Sequence, residues 1–112
     1  MTRYKAIVAY DGSNFFGFQV QTKSGVEVQR TVQGELNKAV NQMAKQPVTP
    51  IKVVGASRTD TGVHAFGQVV HFDLPFDINP VGVSKGLNTL LPRDILIKAV
   101  TKVSDDFHAR FS

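Results

Sequence analysis

Between Ala56 and Ala65 the chain reads Ala-Ser-Arg-Thr-Asp-Thr-Gly-Val-His-Ala, which sets the carboxylate of Asp60 between two threonine hydroxyls and two residues from the guanidinium of Arg58. A nearby cation and hydrogen bonds to the charged form both favour an ionised carboxylate, the form a nucleophile needs and a general acid must avoid. Gly62 would let the backbone turn tightly or approach a ligand. The same spacing also fits an arginine and an aspartate in an ordinary exposed β-turn, so these residues alone leave both readings open. Other chemistries are less well supplied. The sequence has no cysteine, which excludes a thiol nucleophile, a disulfide framework and a thiolate zinc site. His64, His71 and His108 fall on a loop, a strand and a terminal segment without a carboxylate pattern, as core or surface histidines do rather than a metal trio. There is no glycine-rich phosphate loop and no clear metal-ligand spacing.

Two strands are expected to hold the Asp60 loop. One is the β-branched run from Ile51 to Ala56, and the other lies between Val63 and Leu74 and contains Gln68-Val69-Val70-His71-Phe72. Upstream, Arg3 to Asp11 is apolar on both faces, which predicts a central strand, and Asp11-Gly12 ends it in a turn where Asp11 serves the turn rather than catalysis. Ser13 to Gly25 reads as a long loop whose Phe15-Phe16-Gly17-Phe18 cluster is unusually aromatic. Val32, Leu36, Ala39, Val40 and Met43 recur at helical spacing between Thr31, a candidate N-cap, and Gln46, with Pro47 as the stop. Asn79-Pro80 starts a second amphipathic helix that runs to Pro92, and Ile95 to Val100 gives a fourth strand. Strand, helix, strand, strand, helix, strand is the order of an α+β ferredoxin-like split βαβ fold, an antiparallel sheet with two helices on one face. Tyr4, Tyr10 and Phe72 are expected to pack in or beside its core, and Lys38, Lys45, Lys98 and Lys102 to face solvent.

At 112 residues and 42% apolar composition the chain is expected to form one domain, residues 1–112. Its net charge of +4 favours a polyanionic partner. Met1 to Tyr10 offers neither a secretory signal nor a membrane span, which predicts a soluble, cytoplasmic protein. The chain stops on the basic and aromatic Phe107-His108-Ala109-Arg110-Phe111-Ser112, as a truncated protein would.

Four motifs occur in a fixed order: Tyr10-Asp11-Gly12-Ser13 leading to Phe16-Gly17-Phe18-Gln19, then Arg58-Thr59-Asp60, then Gly67-Gln68-Val69-Val70-His71-Phe72, then Asp105-Asp106-Phe107-His108-Ala109-Arg110-Phe111-Ser112. In wording and order the chain resembles the N-terminal, catalytic-aspartate half of the tRNA pseudouridine synthase A family. The resemblance implies that Asp60 is the nucleophile that converts uridines of the tRNA anticodon stem-loop to pseudouridine, detaching the base at N1 and rejoining it through C5 without any cofactor. It implies that Arg58 helps to flip the base and touches tRNA. Phe107, His108, Ala109, Arg110 and Phe111 would form an RNA-contacting stretch, with Arg110 on phosphate and the two Phe rings anchoring the backbone. Ser57 stands where the family commonly has glycine, Thr61 where alanine is common, and Phe16 and Phe18 where Tyr and Trp are frequent. The family's base-packing tyrosine and a basic residue near the aspartate come from a second half, absent here, so the fragment is expected to be inactive alone. The full-length protein is expected to be a homodimer.

Three classes follow: the uridine-isomerising half, which needs Asp60 on a basic cleft; a non-catalytic RNA-binding module of the same fold, indifferent to that carboxylate; and a structural domain to which neither Arg58 nor Arg110 matters. The aromatic loop loosely resembles the base-stacking stretch of RRM domains, but on a loop rather than a central strand. Fold alone does not choose among the three, and the four motifs favour the first.

Overall fold

The computed structural model describes residues 1–112 apart from Val28. Strand β1 (Thr2–Tyr10) runs through the middle of the main sheet, antiparallel to β5 (Ala65–Leu74) on one side and β6 (Ile95–Val103) on the other, while β4 (Val54–Gly55) pairs with the outer edge of β5. The strand order β4-β5-β1-β6, with β5 inserted between β1 and β4, is the split βαβ arrangement of the ferredoxin-like fold. Helices α1 (Val32–Met43) and α2 (Pro80–Leu90) supply Val32, Leu36, Val40, Val83 and Leu87 to a core shared with Tyr4, Ala6 and Val8 of β1. The alternate residues of β1, Arg3, Lys5, Ile7 and Ala9, lie on the helix-free face and are only half-buried.

Both helix starts follow their capping chemistry. Thr31 Oγ1 accepts the Gly34 N–H at 3.1 Å, and Asn79 Oδ1 accepts the Val81 N–H at 2.9 Å ahead of Pro80. α1 ends at Met43 rather than at the expected Gln46. Lys45 and Gln46 adopt φ of 62° and 55°, and their N–H groups return to the Gln42 and Asn41 carbonyls at 3.1 and 2.8 Å, so the helix closes in a left-handed turn just ahead of Pro47. The expected loop from Ser13 to Gly25 includes one strand of a small hairpin, β2 (Thr22–Lys23) with β3 (Val26–Glu27), turned at Ser24 and Gly25, both at positive φ.

The run Ile51 to Ala56 is a much shorter strand than its β-branched composition suggests. Asn37 Oδ1 accepts the Val53 N–H at 2.8 Å, Asn41 brackets Ile51 by accepting its N–H at 2.7 Å and donating to its carbonyl at 2.8 Å, and Gln33 donates to the Val53 carbonyl at 2.7 Å. Amides of α1 thus serve backbone groups that would otherwise seek a neighbouring strand. On the far side of the sheet, β6 bulges between its pairings with Ile7 and Val8, and Asn88 of α2 completes both backbone bonds of Ile97 there.

Candidate active-site cleft

The loop between β4 and β5 is gripped from two sides. On the sheet side, the Ala56 N–H donates to the Val69 carbonyl at 2.8 Å, and the buried Gln68 brackets Ser57, donating to its carbonyl at 2.8 Å and accepting its N–H at 3.2 Å. On the other side, the loop after β1 lies against it backbone to backbone. The Phe18 N–H donates to the Thr59 carbonyl at 3.1 Å, the Gly62 N–H to the Phe15 carbonyl at 3.2 Å, and the Tyr10 and Thr59 hydroxyls share a hydrogen bond of 2.7 Å. No side chain fits between the two: a Cβ on Gly17, which sits at φ +86°, would lie 2.7 Å from the Thr59 oxygen, and one on Gly12 would overlap the Val63 carbonyl. Gly62, at φ +80° with open space around it, supplies the turn that the Val63 N–H closes on the Asp60 carbonyl.

The aromatic cluster of the first loop accounts for this grip. Phe15 and Phe18 are buried pins that fix the loop in the core, and Phe18 packs on Tyr10 and beside Gly55. Phe16 points out into a cleft of about 320 Å³ that it lines together with Gly17, Gln19, Arg58 and Asp60. Asp60 itself is exposed. Among the described residues Arg58 forms no ion pair with Asp60, so the pairing suggested by their spacing is not made. Instead Arg58, with Gln19, also lines a second cleft of about 230 Å³ whose other walls include Lys52, His108, Arg110 and Phe111. The two clefts adjoin along these shared side chains, which places the carboxylate beside a basic surface.

The terminal segment reaches this cleft by crossing the helix-free face of the sheet. Arg3 makes a bidentate pair with Asp73 through Nε and Nη2 at 2.8 and 3.0 Å, and its Nη1 donates to the carbonyls of Asp105 and Phe107 at 3.0 and 2.7 Å. That hydrogen bond and the charge of Arg3 hold the Asp73 carboxyl below the usual carboxylate range. The Ala109 N–H donates to Nδ1 of the buried His71 at 2.9 Å, and burial, helped by the charge of Arg3, lowers the imidazole below its ordinary value. Of the five residues in this segment expected to contact RNA, two are turned inward: Phe107 meets His71 edge-on with the Lys5 ammonium 5.7 Å from its ring, and Ala109 is buried. The other three, His108, Arg110 and Phe111, line the cleft. Only Phe107 anchors the backbone as anticipated for both rings, since Phe111 is 78% exposed and stacks on His108 at 4.6 Å.

Several supporting residues are silent in the sequence. Arg30 holds the first loop through a bidentate pair to Asp94 at 3.0 and 3.1 Å, with its guanidinium 4.0 Å from the Phe15 ring centroid. Tyr10 packs in the core as expected and also serves the loop through its hydroxyl; Gln68, a polar side chain at the head of the apolar run Val69-Val70, was the available signal for the grip on Ser57. Asp11 serves its turn as expected: it accepts the Ser13 N–H at 2.9 Å, and this hydrogen bonding keeps its carboxyl below the usual range. His64 stands 3.2 Å from Asp11 through Nδ1, but that nitrogen accepts the Gly12 N–H at 2.9 Å and so carries no proton to donate.

A family model described as tRNA pseudouridine synthase matches residues 6–112. The tRNA pseudouridine synthase A of Leuconostoc mesenteroides is 73% identical over 112 residues, which cover 100% of this chain and 44% of that protein. The same enzyme of Lactiplantibacillus plantarum is 60% identical over 110 residues, 98% of this chain and 40% of the relative, and that of Oenococcus oeni 54% identical over 112 residues, 100% and 42%. The chain therefore spans about two fifths of the length of the curated relatives it matches.

Proposed function

Since the chain belongs to the tRNA pseudouridine synthase family, we propose that it is the catalytic-aspartate half of an enzyme that isomerises uridine to pseudouridine in the anticodon stem-loop of tRNA. In this reading Asp60 is the nucleophile, and the bond its carboxylate forms to the substrate breaks again before the product leaves, so that the aspartate is regenerated. The C1′–N1 bond of the target uridine breaks, the base turns, a C1′–C5 bond forms, and the C5 proton leaves while N1 gains one, so that no redox or group-transfer partner is required. A stacked uridine cannot present these atoms, and Arg58, at the junction of the two clefts, would occupy the space from which the base is turned out. Lys52, Arg110 and Arg58 would meet the phosphates, with Phe111 on its His108 support offering an exposed aromatic face. A second half of the protein would supply the facing wall, so the chain alone would bind weakly and not turn over. Homodimeric assembly and a cytoplasmic location belong to the same proposal.

The observation that carries the reading is the convergence of motifs. Tyr10 to Gln19 and Gln68 grip the Asp60 loop from opposite sides, and His71 carries the terminal segment to the cleft that Arg58 lines. The test uses a protein of the relatives' length and its Asp60→Asn variant, each given an unmodified tRNA transcript with tritium at uridine C5. Tritium release by the wild type and none by the variant, with equal tRNA binding, is the expected result. Binding without release by either would instead favour a non-catalytic RNA-binding module.

A further inference from the structure

His71 is assigned no part in the isomerisation, yet it is buried at 4% exposure on the otherwise half-open face of the sheet, and its one backbone bond goes to the segment that reaches the cleft. Because the Ala109 N–H is the donor, Nδ1 must be the unprotonated acceptor, and any proton on the neutral ring sits on Nε2. A doubly protonated ring has no acceptor, so the bond to Ala109 exists only while His71 is neutral. The residues on either side of Ala109 are the ones that line the cleft: His108, Arg110 and Phe111.

We propose that His71 is a proton-controlled latch, a positioning residue whose neutral imidazole holds Ala109 down and thereby presents His108, Arg110 and Phe111 to the polyanionic ligand. The assignment of that ligand as RNA rests on the proposed function; the latch itself does not. Geometry and charge on every packed element agree with a neutral ring. From β1, Arg3 lies close enough to oppose a second positive charge and Lys5 is the cross-strand neighbour of His71; from the terminal segment, the His108 ring is 4.8 Å away. Asp73 on β5 pulls the other way, but its carboxylate is engaged by Arg3, and Asp105 and Asp106 act on Arg3 in turn. β4 contributes only Val54, opposite His71, and Gly55. Protonation would place a cation among Arg3, Lys5 and His108 while removing the acceptor for Ala109, and both effects push the segment away.

Nitrogen-15 NMR on the 112-residue chain tests the latch without RNA. The Ala109 amide resonance is expected to move with the same midpoint as the His71 ring on acidification. In His71→Asn, whose Oδ1 can replace Nδ1 as acceptor but does not titrate, it should stay in place. Affinity for an RNA hairpin of anticodon stem-loop form, measured in parallel, should fall roughly fivefold across the same interval in the wild type, the weight of one hydrogen bond, and should lose that step in His71→Asn. An Ala109 amide that ignores the His71 titration in the wild type overturns the proposal, whether or not the variant folds. An affinity step equal in His71→Asn and wild type overturns it as well. If Ala109 follows His71 but the hairpin binds at no pH, the latch stands and the RNA reading falls.

Discussion

The hydrogen bond between Tyr10 and Thr59 is the one side-chain link from the central strand to the residue beside Asp60, and its contribution can be isolated. Tyr10 is 5% exposed and its hydroxyl lies 2.7 Å from Thr59 Oγ1. Tyr10→Phe removes that oxygen and keeps the ring on Phe18, so the expected loss is about 1 kcal/mol, the net weight of one hydrogen bond. Thr59→Val keeps the shape of the other partner but strands the buried phenol, and should cost up to about 2 kcal/mol. In the double variant nothing is stranded, and the loss should reach only about 2 kcal/mol, a coupling near 1 kcal/mol. Urea unfolding reads this directly: with m values of roughly 1–3 kcal/mol per M, Tyr10→Phe should lower the midpoint by about 0.5 M at constant m. Single losses that add to within about 0.3 kcal/mol would mean that the bond does not hold the loop, and that the backbone contacts at Gly12 and Gly17 suffice.

Other expectations follow from the same contacts. The Asp73 carboxyl is held below its ordinary range by Arg3, so it adds stability above that range which is lost as pH falls through its folded-state value; Arg3→Gln should flatten this acid limb in thermal melts taken down to about pH 2. Arg30→Lys retains charge but not the fork on Asp94 or the flat contact with Phe15; because the pair is partly exposed the loss should be only about 0.5–1 kcal/mol, with faster amide exchange confined to residues 11–31. If the cleft binds RNA, Arg58→Ala and Arg110→Ala should each reduce the salt dependence of tRNA affinity by about one unit of log–log slope, whereas a change at the exposed Lys85 of α2 should leave it unaltered.

The fold was legible because hydrophobic period and capping residues agreed at nearly every element: Thr31 and Asn79 mark helix starts, and the two-sided apolar run of β1 marks the centre of the sheet. Legibility failed where backbone groups found side-chain partners. The Ile51 to Ala56 run has strand composition, yet the asparagine amides that serve it belong to helix residues 10 to 16 positions earlier, and no pattern within the run announces them. For the site, Arg58, Asp60 and Arg110 could be singled out by type and wording. Their supports could not, because Arg3, Arg30 and His71 act through partners that are 102, 64 and 38 residues distant. The inward turn of Phe107 and Ala109 was hidden for the same reason: a motif read in one dimension does not say which of its residues faces the sheet.

The amides of α1 have a further consequence, which concerns measurement along the molecule. Asn37 serves Val53 and Asn41 serves Ile51, so four residues of helix are matched to two residues of extended chain. Four helical residues rise about 6.0 Å and two extended ones about 6.6 Å, near enough to coincide for one such step and too unequal to continue for many. A slip of one residue would turn the wrong backbone groups toward the amides, and a slip of two would carry the following loop about 6.6 Å along the sheet. The pitch of α1 thus works as a ruler laid beside the strand, and the axial position of Asp60 is read off it.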